Sequence, residues 1–202
     1  MLIEALEESP HQYVIFGVDD LVVKDHVDLV YCIRALEKYD AYGFYLRLGN
    51  HLTRCYPKSC DQQVPPNKHL EKNVFTWKFN EGEHDWHYPN MVDMALYRKG
   101  EVCDTFKEIS FKCPNSLEGA WGSKADYKKS GLFFDQSKVV NLPINKVQQF
   151  SDLIHMNLYK PQELLEMFLK GLKMDISPLH SIVNISGHME WHPTFIKREK
   201  SS

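Results

Sequence analysis

The stretch Tyr13-Val14-Ile15-Phe16-Gly17-Val18-Asp19-Asp20-Leu21 decides how this chain is read. It opens with a short β-branched and aromatic run, the pattern of a buried strand, and stops abruptly at two acids. In open α/β sheets ligands bind at the carboxyl ends of strands, so an acid pair delivered there is a candidate site. Adjacent carboxylates repel each other unless a cation, hydrogen-bond donors or water compensates them. Hard oxygen ligands suit Mg or Mn, which fill their other positions with waters and substrate phosphates. The alternative is that Asp19 or Asp20 simply caps the following turn or helix.

Helical and extended patterns alternate on either side of this stretch. A helix is expected over residues 2–8, and another over 25–39 behind Asp25 as a possible N-cap. Residues 41–49 and 74–79 read as strands, and 94–97 and 138–143 as two more. Residues 55–73 and 80–90 read as polar loops, the second with accessible aromatics. Helices are expected over 101–109 and 116–129, and from Pro161 to a stop at Gly171. The fold class is α/β, a mixed sheet with flanking helices and long active-site loops, in one domain over residues 1–202.

Composition narrows the function. The chain has 202 residues, 43% hydrophobic and 25% charged, enough for one sizeable core. A net charge of -3 gives no positive field to concentrate nucleic acid, which is excluded as a partner. The N-terminus has no basic region ahead of an apolar run, so it is not a secretory signal. No apolar stretch approaches the roughly 20 residues of a membrane-crossing helix. The five cysteines form an odd set without a CxxC pair, which argues for reduced thiols over a disulfide framework or zinc knuckle. These features predict a cytoplasmic protein without a transmembrane segment.

Longer strings carry a family resemblance. Phe16-Gly17-Val18-Asp19-Asp20-Leu21, then a helix, then Asp40-Ala41-Tyr42-Gly43-Phe44-Tyr45-Leu46-Arg47-Leu48-Gly49, resembles the DxD metal motif and following helix and strand of GT-A glycosyltransferases. Asp85-Trp86-His87-Tyr88-Pro89-Asn90-Met91-Val92-Asp93 resembles their acceptor-side loop and strand, and Pro114-Asn115-Ser116-Leu117-Glu118-Gly119-Ala120-Trp121 their late acidic motif. The resemblance departs from the family at Val18, which makes the pattern xDD, so only Asp20 and less directly Asp19 inherit the metal role. It also implies an incomplete GT-A-like domain, because such enzymes place a nucleotide-binding βαβ half ahead of the motif. The chain is then expected to carry the metal-binding and acceptor-binding half, and to transfer little sugar alone.

The resemblance implies a metal-assisted transfer of sugar from a nucleotide-diphosphate donor to a hydroxyl of a carbohydrate or glycoconjugate acceptor, with Mg or Mn as cofactor. Glu118 matches the general base; the competing reading is a first-turn glutamate that favours the helix dipole. His188 is expected as a late metal or phosphate contact, or as an ordinary hydrogen-bonding histidine. The HxExH order of His188-Met189-Glu190-Trp191-His192 does not give the zinc-protease HExxH geometry. Trp86, Tyr88 and Trp121 offer flat faces for sugar rings, while Asn90 and Asp93 offer polar anchors; Trp121 equally suits a core. Arg47 pairs with a phosphate or an acid such as Asp20, or lies on an edge with its head in water. Two other functions remain open: a non-catalytic carbohydrate-binding module, and a metal-dependent phosphohydrolase.

Overall fold

Helix α1 (Leu2–Glu8) leads into β1 (Tyr13–Ile15), and the chain then turns at Asp19 and Asp20 into β2 (Leu21–Val23). This computed structural model describes residues 2–144 and 158–199. Helix α2 spans Leu29–Lys38, and strands β3 to β8 are Gly43–Tyr45, Arg54–Cys55, Cys60–Asp61, Asn67–Glu71, Val74–Lys78 and Ala95–Arg98. Helices α3 (Lys99–Lys107) and α4 (Pro114–Gly122) precede β9 (Ser130–Phe134) and β10 (Val139–Asn141). Helix α5 (Pro161–Leu169), β11 (Leu172–Met174) and β12 (Phe195–Lys197) follow.

The main sheet is mixed and six-stranded, in the order β1-β8-β3-β9-β7-β6. Only β3 and β9 run parallel; the other neighbours are antiparallel. Successive side chains on a strand point to opposite faces. Phe44, Leu96, Leu132 and Phe134 therefore pack with Cys32, Ala35 and Leu36 of α2. Tyr45, Ala95, Tyr97 and Phe133 face the other way, onto Leu6, Phe106, Leu117 and Trp121 from α1, α3 and α4. Helices thus cover both faces of an α/β layered unit.

The sheet gathers the candidate residues at one end. Because β8 runs opposite to β1 and β3, its first residues lie beside the last of those strands. Met94 N donates to Phe16 O at 2.9 Å, and Leu46 N donates to Met94 O at 3.2 Å. Residues 17–20, Arg47 and Asp93 consequently leave the sheet from the same end. There β2 pairs with β10, and Leu142 N donates to Asp20 O at 2.8 Å.

Several sequence expectations are corrected. The cap of α2 is Asp28, whose Oδ1 accepts from Tyr31 N at 3.0 Å, while Asp25 instead pairs with Lys138. The strand before the acids ends at Ile15 and is a half-buried edge strand rather than a buried one. Residues 55–73 are not simply loop: the β4–β5 hairpin and β6 lie there, β6 paired to β7. The Asn-Leu-Pro-Ile run that opens at Asn141 continues from residue 145 outside the described residues. Among the described residues no helix is long and apolar enough to cross a membrane.

Candidate active site

Arg47 organises the site. Its neighbours Leu46 and Leu48 are core residues at 1% and 0% exposure, and Arg47 itself is only 2% exposed. A buried cation needs partners, and these come from the segment between β7 and β8. Arg47 Nη2 lies 3.5 Å from Asp85 Oδ1, and Nη1 lies 3.6 Å from Asp93 Oδ2. Burial works against the Arg47 charge, but Asp93, Asp85 and Glu118 more than offset it, holding the guanidinium protonated. The expectation of an edge arginine with its head in water is thereby corrected.

Arg47 Nη1 also lies 3.0 Å from His188 Nδ1. Arginine has only donors, so Nδ1 accepts, and a neutral His188 ring carries its proton on Nε2. His188 thereby enters the cluster as a partner of Arg47. Gly187 permits this contact. A Cβ there would lie 3.0 Å from Arg47 Nη1 and 3.3 Å from its Cγ and Cδ. Gly187→Ala should therefore destabilise the chain by about 1–3 kcal/mol through overpacking. An unchanged denaturation midpoint would contradict this account of Gly187.

Asp93 faces two further acids. Burial first, then Asp93 and Asp19, push the Asp20 carboxyl up to about 6, against the Asn141 amide, whose Nδ2 donates to Asp20 Oδ1 at 3.3 Å. Glu118 projects from α4, and its Oε1 accepts from Val92 N at 2.8 Å. Burial first, and the Asp93 charge second, push the Glu118 carboxyl up to about 7; Val92 N–H, Arg47 and the Tyr88 hydroxyl pull it down. Three carboxyl groups, on Asp85, Asp93 and Glu118, thus act on one guanidinium, and Asp93 acts in turn on Asp20. The surplus negative charge suits a divalent cation or a retained proton.

The sequence-predicted residues divide clearly. Asp20, Asp93, Glu118, Tyr88 and His188 belong to this cluster, with exposed Asp19 at its rim. Trp86 and Trp121 do not serve as sugar platforms, because both are 0% exposed and packed into the core. Asn90 is 1% exposed; its Nδ2 donates to Trp121 O and its Oδ1 accepts from Tyr42, both at 2.6 Å, so it holds α4 rather than an acceptor. Asp85, Asn141 and the central role of Arg47 were not assigned from sequence. Among the described residues no group of three or more His, Cys, Asp or Glu is arranged to hold a metal by itself. Any cation here would complete its shell with water and substrate oxygens, as Mg commonly does.

Comparison with known proteins gives a partial match. No protein-family profile matches the chain. Over 100 residues it is 29% identical to the "Bifunctional glycosyltransferase pgtA" of Dictyostelium discoideum. The match covers 45% of this chain and 13% of that much longer relative. The chain is therefore related, distantly and over part of its length, to a glycosyltransferase.

Proposed function

We propose that this chain carries the catalytic carboxylates of a GT-A-type glycosyltransferase, which moves a sugar from a nucleotide-diphosphate donor to an acceptor hydroxyl. The observation that supports this best is the shared neighbour: Asp93 acts on both Asp20 and Glu118, so an acid of the turn before β2 and an acid of α4 belong to one cluster. Its two carboxyls pushed upward make distinct roles available.

Glu118 is the general base. A carboxyl near 7 is matched to proton abstraction at neutral pH, and its Val92 and Tyr88 hydrogen bonds fix its orientation. It would take the proton of the acceptor hydroxyl as that oxygen attacks the anomeric carbon and the nucleotide diphosphate departs. Asp20, with Asp93 behind it, would hold Mg or Mn. When bound, that ion supplies Lewis-acid stabilisation of the leaving diphosphate. Arg47 holds Asp93 in place from the protein side. We further read the chain as the metal- and acceptor-binding part of a GT-A-like domain.

Manganese titration in the presence of UDP tests the Asp20 assignment. Asp20→Asn should weaken manganese binding by at least about tenfold, since even outer-shell changes cost this much. Equal affinity in the two proteins would remove Asp20 from the site.

A further inference from the structure

His188 joins the acidic cluster to a second cavity. Bonded to Arg47 through Nδ1, it also lines a space of about 440 Å³ bounded by Arg54, Tyr56 and Ser59 on one side and by residues 182–190 on the other. This volume falls in the range of small-ligand sites.

The walls are held by their own hydrogen bonds. Ser186 Oγ accepts from Tyr56 N at 3.1 Å and from His188 N at 3.4 Å, and Arg54 N donates to Ile185 O at 3.0 Å. Behind them Asn184, 4% exposed, donates to Ser186 O at 2.7 Å and accepts from Ser137 at 3.1 Å. Lys24 Nζ, also buried, donates to Ile182 O at 3.1 Å. A pocket ordered in this way loses little entropy when a ligand enters.

Its chemistry selects a ligand class. The Arg54 guanidinium lies 3.3 Å from Asp61, and Glu190 adds an exposed carboxylate that accepts from Tyr56 Oη at 3.2 Å. No surplus positive charge is left among the lining residues for a diphosphate. An aromatic ring, a carboxylate, a serine hydroxyl and the apolar flanks of Ile182, Ile185 and Met189 match a neutral polyol that presents both hydroxyls and C–H faces. We infer that this cavity binds a neutral sugar unit of the acceptor, with Tyr56 as its platform and Glu190 as its hydroxyl anchor. The inference rests on the glycosyl-transfer reading above and adds to it the acceptor class and subsite.

The test is an amide NMR titration of the ¹⁵N-labelled chain with methyl glycosides of the common neutral hexoses. At least one should shift the Tyr56, Ser186 and His188 amides. Tyr56→Ala and Glu190→Gln should each weaken its binding about tenfold, the worth of one good hydrogen bond or ring contact. UDP with magnesium should leave these amides in place. The inference is overturned if no glycoside shifts them, if binding survives unchanged in both variants, or if UDP with magnesium shifts them instead. A chain that binds glycosides here while Asp20→Asn leaves manganese binding in the presence of UDP unchanged keeps the cavity assignment and loses the transferase reading. Transfer with wild-type acceptor KM in both variants does the reverse.

Discussion

If Glu118 is the general base proposed above, Glu118→Gln should lower sugar transfer about 10²–10⁴-fold in any protein that contains this chain, because it removes the base and little else. Glutamine is nearly the same size and can still accept from Val92 N, so the fold should persist. The pH profile sharpens the prediction. A protonated carboxyl cannot take a proton, so the wild-type rate should fall as pH drops through the Glu118 pKa, about 7 in the free chain and lower with magnesium bound. The residual rate of the glutamine variant should lack that limb. Release of nucleotide diphosphate from a panel of nucleotide sugars, followed against pH, measures both effects. Wild-type turnover in the variant would leave Glu118 as a first-turn helix residue.

Arg47→Met should have the largest effect on stability. The substitution keeps an unbranched apolar stem but leaves Asp85 and Asp93 beside Glu118 with no cation. Removing one partner of a buried ion pair costs about 3–5 kcal/mol, because the other charge stays buried. In a chain of this size that lowers the melting temperature by on the order of 10 °C. Adding Asp93→Asn should restore part of the loss, since the two sites share one network. Thermal melts of both variants decide the matter: an Arg47→Met melt within a degree or two of wild type would mean that the guanidinium is not the support of the cluster.

Much of this arrangement was legible in the sequence. The apolar run that opens at Tyr13 announced β1, although the strand stops at Ile15, before the acids, and Leu2–Glu8, Val74–Lys78 and Pro161–Leu169 carried their periods openly. What misled was tertiary context. Trp86 lies in an aperiodic polar stretch, where an aromatic reads as accessible. The two short 3-10 turns Phe79–Glu81 and His84–His87 fold it back against Trp77 and Phe133. Strand β9 passed unassigned because Ser-Gly-Leu-Phe-Phe is buried on both faces and shows no alternation. Arg47 had a signal that could have been used. A charge between two leucines in an apolar strand is buried only when paired, and Asp85 and Asp93 were the acids available in the neighbouring loop.

Asp93 acts on both Asp20 and Glu118, and in the proposed function a divalent cation neutralises the surplus charge of this group. Carboxyl NMR titration of Glu118 and Asp20, with and without magnesium and UDP, tests it without knowledge of donor or acceptor. The account predicts that Glu118 titrates near 7 and Asp20 near 6 in the free chain, and that both fall when magnesium binds. Two carboxyls that titrate in the ordinary glutamate and aspartate range, unmoved by magnesium, would contradict it.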